Sequence, residues 1–488
     1  MRPVFVYSAS MTQMDSPQEL PSEDSSSTGL FQDLKDSIKG DHQADYTEGP
    51  IGRSVMLLAV PMVLETVMES IFAVVDVFFV SKLGPEAVAT VGLTESMMAI
   101  IYTLAVGLCI GVTAMVSRRT GEKDPDGAAE AATQAIVLGI ALSALLGFIG
   151  LFYAEKLLAL MGADEAILAH GVGYTRIMVG ANITVMLLFL INAIFRGAGD
   201  AAVAMRVLWI ANGINIVLDP LLIFGIGPFP EMGLEGAAVA TNCGRGFAVF
   251  AQLYLLARGT RRMRIQRRHL RLIPERMKRL FSLSGVATFQ FFISTASWIG
   301  LIRILASFGN EVLAGYTIGI RIVLFALFPS WGISNAAATM VGQALGAKKP
   351  ERAEKAVWMT AIYNFVFLGL TSILYLVFAP TIASWFTQDP EPLRWAILAL
   401  RTVASGFVFY AFGMVLTQAF NGAGDTWTPT YMNLFCFWLC ELPLAYALAY
   451  TFDLGPWGVF LAITIAFSLL AVVATVVFRR GRWKEQQI

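Results

Sequence analysis

The chain has 488 residues, 56% of them hydrophobic and 14% charged, with mean hydropathy +0.65 and a formal net charge of zero. A composition this apolar lies outside the range of soluble domains. The balanced charge excludes the basic footprint of a nucleic-acid-binding protein.

Residues 1–50 differ from the rest, being rich in Ser, Asp, Glu and Gln. They show neither the basic start nor the apolar core of a signal peptide. Residues 1–27 are expected to be disordered. Residues 28–40, with Leu30, Phe31, Leu34 and Ile38 at helical spacing, are expected to form a short helix on the membrane surface.

Apolar runs long enough to cross a bilayer, about 20 residues at helical rise, then recur twelve times. They lie near 54–80, 88–117, 128–153, 170–195, 202–226, 234–257, 281–308, 311–341, 354–380, 393–420, 427–452 and 455–478. Helices are the predicted form, because membrane-barrel strands alternate over segments of about ten residues.

Orientation follows from Lys and Arg in the loops. One set holds Arg118, Arg119 and Lys123; Arg196 and Arg206; ten Lys/Arg from Arg258 to Arg279; Lys348, Lys349, Arg352 and Lys355; and Arg479, Arg480, Arg482 and Lys484. The alternate loops hold only Lys82, Lys156 and Arg394. Both termini are therefore expected in the cytoplasm, with the chain integral to a plasma (inner) membrane. The cluster from Arg258 to Arg279 reads as an orientation signal lying on anionic lipid.

The two halves repeat. Phe195 to Asp200 reads FRGAGD and Phe420 to Asp425 reads FNGAGD, 225 residues later. Gly121, Lys123, Pro125 and Ala128 fall at the same offset from Gly346, Lys348, Pro350 and Ala353, as do Gly84, Glu86 and Ala89 from Gly309, Glu311 and Ala314. A period this long marks a duplicated bundle, not a solenoid unit. Six spans per repeat bring both halves in from the same side, so the repeats are parallel. The predicted organisation is a tail at 1–50, a first lobe at 51–258, a basic linker at 259–280 and a second lobe at 281–488 that ends in a basic tail.

Function is sought among charges that the bilayer penalises. Glu65, Glu69 and Asp76 in the first span fall within about 40° of one another on a helical wheel, a narrow acidic stripe that must face the interior. The fifth span adds Asn212, Asn215 and Asp219, the second Glu95 and the sixth Thr241. By topology Asp76, Glu95, Asp219 and Thr241 share one outer-leaflet layer. Burial and mutual repulsion favour the protonated form of a carboxyl, so such a cluster suits proton binding and release; with Asn and Thr oxygens beside it, it also suits a sodium ion. Glu65, Glu69 and Glu95 are candidates for a proton path or a cation-attracting wall.

The second half does not repeat the stripe. Asp76 falls opposite Leu301, and the half carries instead Gln290, Arg303, Arg321, Arg401 and Glu441. The acid site is expected in one copy only, with Gln290, Arg303, Arg321 and Glu441 as polar contacts of the second lobe. Cys109, Cys243, Cys436 and Cys440 read as buried small apolar residues, and His42, His170 and His269 form no metal-spaced set.

The ordered set Pro61, Val75-Asp76, Leu83 to Ala89 (LGPEAVA), FRGAGD, Asn215 to Pro220 (NIVLDP), Phe328 to Ala353 (FPSWGISNAAATMVGQALGAKKPERA) and FNGAGD resembles the multidrug and toxic compound extrusion (MATE) transporters over about residues 51–478. The resemblance implies an all-α membrane fold of twelve helices in two six-helix lobes forming a V around a central cavity. It implies export of organic, often cationic, compounds in exchange for H⁺ or Na⁺. Carried over by motif, Asp76, Asn215, Asp219 and Thr241 match the amino-lobe cation site of the archaeal and DinF-like branch. The acids that other branches place in the seventh and tenth spans are missing.

The expected activity is therefore that of a secondary antiporter, not an enzyme. It is expected to need no cofactor beyond its coupling ion, preferentially H⁺, and to act as a monomer on small organic substrates in contact with lipid. Met62, Met68, Met97, Met98, Met178 and Met186, with Phe291, Phe292 and Trp298 opposite, are candidate cavity-lining residues. A lipid-linked saccharide flippase of the same superfamily would need a cationic cavity for pyrophosphate, and a channel a filter-like repeat.

Overall fold

The computed structural model describes residues 25–40, 45–260 and 262–488, with side chains from residue 32 onward. The segment expected to be disordered lies outside the described residues as far as residue 24, as does His42.

Every regular element among the described residues is helical: α1 (Ser25–Lys39), α2 (Ile51–Ser81), α3 (Pro85–Gly121), α4 (Pro125–Leu160), α5 (Glu165–Gly180), α6 (Ile183–Ala198), α7 (Ala201–Ile223), α8 (Gly233–Arg258), α9 (Pro274–Ala306), α10 (Asn310–Gly346), α11 (Pro350–Ser384), α12 (Pro390–Ala404), α13 (Phe407–Ala423), α14 (Trp427–Asn433), α15 (Leu442–Tyr446) and α16 (Pro456–Arg479), with short 3₁₀ and π turns between some of them. Proline opens α3, α4, α9, α11, α12 and α16, where its missing N–H costs nothing and its fixed φ suits the first turn. By length and hydropathy nine spans qualify among the described residues, ten with the bent pair α12–α13. The charged interior helices α2 and α8 complete the twelve.

Three spans are not the straight helices that hydropathy predicts. The fourth breaks between α5 and α6, where Asn182 donates to the carbonyls of Val179 and Ser143. The tenth breaks at the equivalent place in the repeat, between α12 and α13, with a bend of 58°. The eleventh carries π-helical turns at Leu434–Glu441 and Ala447–Thr451 on either side of α15. The seventh helix also begins earlier than expected, at Pro274, so the basic linker is shorter than 259–280. Several cations of this basic cluster pair with acids: Arg262 and Arg268 of the linker with Asp200 at 3.2 Å and Asp126 at 2.6 Å, and Arg276 in the first turn of α9 with Glu130 at 2.8 Å.

The duplication extends to single backbone torsions. Lys123 and Lys348 both hold positive φ, at 57° and 59°, and Gly199 and Gly424 at 89° and 85°. The last pair explains the FRGAGD and FNGAGD strings. Gly199 and Gly424 take the left-handed cap that ends α6 and α13, and Asp200 and Asp425 return N–H bonds of 2.8 and 3.0 Å to Phe195 and Phe420. The first glycine of each string serves close packing, Gly197 against Thr113 and Gly422 against Ala338.

The lobes meet through the same pairs read in both directions. α3 packs on α9 and α10 on α2, the first helix of each lobe against the second of the other. Gly107 abuts Thr288 and Gly332 abuts Val63; Gly121 lies on the carbonyl of Gln343 and Gly346 on that of Arg118. All these contacts fall in the half of the bundle nearer the termini. There the segment before α2 straps the lobes together, as Arg352 donates to the carbonyls of Tyr46, Glu48 and Gly49 at 2.9, 2.6 and 2.8 Å. α1 docks beneath α2, with Ser37 donating to Leu57 O at 3.3 Å and Arg53 meeting Asp33 at 2.8 Å.

Candidate functional site

Where the inter-lobe packing ends, a cavity of about 530 Å³ begins, within the range of small-molecule sites. Its N-lobe wall carries Glu65, Glu69, Tyr102, Asn192, Arg196 and Arg245, and its C-lobe wall Phe291, Phe328, Trp331, Asn335, Thr339 and Gln418. The acidic stripe of α2 does turn inward, with Glu65 and Glu69 both on the lining. The far wall is aromatic: Phe291 and Trp331 stack with centroids 5.9 Å apart.

Glu65 is not a free acid. Arg196 donates to its Oε1 at 2.7 Å and Asn192 at 3.0 Å, while Gln252 donates to Asn192 at 2.5 Å. Arg196, placed by the loop reading on the cytoplasmic surface, instead sits in the last turn of α6 with its guanidinium on the cavity floor. There Thr339 and Gln343 of the other lobe donate to the carbonyls of Arg196 and Gly197, at 3.2 and 3.0 Å. Glu69 forms no ion pair within 4 Å among the described residues.

Arg245 is the residue that sequence reasoning missed, although its signal was an arginine inside an apolar run. It lies on α8 one turn beyond Thr241, 6% exposed, with its guanidinium 5.5 Å from the Phe72 ring and Nη1 without a hydrogen-bond partner. Tyr102, Glu69 and Asp76 interact with it electrostatically. The charged lining is therefore two acids and two arginines, more balanced than the acidic interior read from the sequence.

Behind the cavity wall, α7 and α8 bring together Asn215, Asp219 and Thr241, all buried. Asn215 Nδ2 donates to Thr241 Oγ1 at 3.1 Å, leaving Asn215 Oδ1 without a partner; both carboxyl oxygens of Asp219 are likewise unpartnered. Asp76 on α2 is half-buried and interacts electrostatically with Asp219. A buried polar atom normally finds a partner. Three orphaned oxygens in one place, with Asp76 beside them, suit a proton or a small cation.

Glu95 lies at the edge of this group, within electrostatic reach of Asp76. It is exposed on α3 and faces Arg321 of α10, also exposed, across the gap between the lobes without an ion pair. In the C-lobe, Gln290 and Glu441 are buried and Arg303 is exposed. The six methionines are buried in packing and line no part of the cavity. Of the three seventh-span aromatics, Phe291 is on the lining, Phe292 is exposed, and Trp298 donates to Tyr316 at 2.5 Å. Cys109 and Cys436 are buried as expected, whereas Cys243 is exposed on the outer face of α8.

The MatE family model matches residues 61–221 and 287–447, one match in each half. The chain is 29% identical to a protein of Shewanella oneidensis named as a FAD transporter, over 87% of this chain and 93% of that one. It is 24% identical to the probable multidrug resistance protein NorM of Thermotoga maritima, over 90% and 94%. Two solved structures superpose with TM-score 0.84 at 26% identity. One is described as an outward-facing MATE transporter of the MOP superfamily, covering 90% of this chain and 98% of that one. The other is a Pyrococcus furiosus MOP transporter with a binding pocket of reverse polarity, covering 91% and 98%.

Proposed function

The chain belongs to the MatE family of transporters, and from that premise we propose that it is a secondary antiporter exporting organic compounds in exchange for H⁺. The observation that carries this reading is the buried set Asp76, Asn215, Asp219 and Thr241, with its orphaned carboxyl oxygens, directly behind the wall of an inter-lobe cavity.

The closed half of the bundle holds the termini and the basic loops, so by the positive-inside rule it is the cytoplasmic half. The conformation is then outward-open. Asp76 and Asp219 take protons in this state, and the neutralised α2 and α7 shed the substrate's positive charge. Closure of the outer halves, in which Glu95 and Arg321 approach each other, accompanies separation of the glycine contacts on the cytoplasmic side. Proton release to the cytoplasm restores the charge that draws the next substrate. Substrate and proton compete for the same electrostatics, which couples their flows.

For the substrate, the aromatic pair Phe291 and Trp331 favours a planar apolar body. Glu69, the lining acid without an ion pair, favours a cationic group, and Arg245 beside it limits how much positive charge the pocket rewards. Lipid is the surrounding medium, and a single copy holds the whole pathway.

A sodium-coupled exporter is the second reading. Asp219 Oδ1 and Oδ2 and Asn215 Oδ1 are oxygen donors of the kind sodium takes, and Asp76 and Thr241 add to them. A flippase is disfavoured by the balanced lining. The test is expression in a drug-sensitive host: energised cells should extrude a fluorescent organic cation, and a protonophore should abolish extrusion. Extrusion that persists with the proton gradient collapsed would refute proton coupling.

A further inference from the structure

Glu441 is 2% exposed in the core of the C-lobe, at the end of the π-helical stretch Leu434–Glu441. π turns inside α-helices are rare and recur at functional sites. The groups that face it are neutral: Ser297 on α9, Tyr316 on α10, Tyr410 on α13 and Cys436 one turn earlier on its own helix, while α16, packed on the same stretch, carries no ionisable side chain before Arg479 at its far end. The arginines of these and neighbouring elements, Arg303, Arg321 and Arg401, are exposed, and Glu441 forms no ion pair within 4 Å among the described residues. An ionised carboxylate buried without a counter-charge is costly.

Its surroundings are nonetheless built to receive charge. Tyr316 accepts from Trp298 and keeps its own O–H free to donate, and the buried Tyr410 hydroxyl has no hydrogen-bond partner. From Ser297 a polar line runs along α9. Ser297 donates to Ser294 O at 2.9 Å, Asn433 to Ser294 Oγ at 3.0 Å, and Ser294 to Gln290 O at 3.3 Å. Asn433 Oδ1 and Gln290 Oε1 are buried without partners, acceptors that suit bridging water, and the next residue, Phe291, is on the cavity wall.

The repeat offset sets Glu441 opposite residue 216, between Asn215 and Asp219. Each lobe thus carries a buried carboxyl on its fifth span, although the sequence reading expected the acid site in one copy only. We propose that Glu441 is a second proton-binding site, joined to the central cavity by the Ser297–Ser294–Asn433–Gln290 line. The step is simple: the carboxyl O–H breaks, the proton passes to water at Asn433 and Gln290, and it returns from water by the same line. The expected role in exchange rests on the proton-antiport reading, but the existence of the site does not.

The experiment is infrared difference spectroscopy of the full-length purified protein during a pH titration, comparing wild type with Glu441→Gln. Loss in the variant of one pH-dependent carboxylic C=O band, with other carboxyl bands kept, is the expected result. Asn433→Leu and Gln290→Leu should retain that band but slow its response to a pH jump at least tenfold. In proteoliposomes, Glu441→Gln should lower the protons exchanged per substrate by about half, while substrate affinity stays within twofold. An unchanged infrared titration, or a Glu441 band present at every pH, would overturn the proposal. Because the spectra need no transport, that outcome is separable from failure of proton coupling at Asp76 and Asp219.

Discussion

Arg196 and Glu65 form an ion pair of 2.7 Å that ties the last turn of α6 to the middle of α2 on the cavity floor. Glu65 is 5% exposed, and its second oxygen has no partner. Breaking a mostly buried pair strands the surviving charge, whereas removing both partners does not. Glu65→Gln and Arg196→Gln should each lower thermal stability more than the double variant does, with a coupling energy on the order of 1–3 kcal/mol. A double-variant cycle on melting curves of the detergent-solubilised protein measures this; additive losses would show that the pair is not a unit.

Asp76→Asn and Asp219→Asn keep shape and remove a titratable group. Each is expected to abolish gradient-driven export while the protein still inserts and binds to a size-exclusion profile like wild type. Full drug resistance from either variant at wild-type expression would remove the N-lobe site from the mechanism.

Glu69 and Arg245 should act in opposite directions. Glu69→Gln is expected to weaken binding of a cationic fluorescent substrate about tenfold and that of a neutral analogue little, since one charge-assisted contact is lost. Arg245→Gln should strengthen the cation's binding. Equal effects on both ligands would make these residues structural only.

The close approach at the end of the bundle that bears the termini predicts a conformational effect. A side chain at Gly346 has no room against the Arg118 carbonyl, nor one at Gly121 against Gln343. Gly346→Val should push the lobes apart there, so that a cysteine at Thr339 is alkylated faster from the side that bears the termini. Unchanged labelling in Gly346→Val and Gly121→Val alike would show that these contacts do not hold the lobes closed at that end.

Much of this architecture is legible in the residues. The 225-residue offset marks both glycine caps, and the apolar runs mark the spans. The breaks at Asn182 and Gly406 are not legible, because hydropathy averages composition and is blind to a bend within an apolar run. Arg196 was hidden by its position: a basic residue at a span end reads as a topology signal, and only packing of α6 against α2 reveals its partner. Arg245 was legible and overlooked. The methionines were misplaced because abundance in spans says nothing of facing, and packing turned all six into the core.

Under the proposed competition between proton and substrate, pH acts with a definite sign. With no gradient, raising pH deprotonates the N-lobe acids and should tighten binding of a cationic substrate; lowering pH should weaken it. Isothermal titration across pH checks this, and in Asp219→Asn the slope should be much reduced. Binding that is independent of pH in wild type would separate the acids from the substrate.

The most direct test of proton coupling is flux of a fluorescent organic cation in proteoliposomes carrying one gradient at a time. With sodium equal on both sides, an imposed pH gradient should drive substrate toward the acidic compartment, and Asp219→Asn should not respond. With pH equal on both sides, a sodium gradient should drive no net flux. Flux that follows sodium and ignores pH would contradict the proton assignment and make the orphaned oxygens of Asp219 and Asn215 a sodium site.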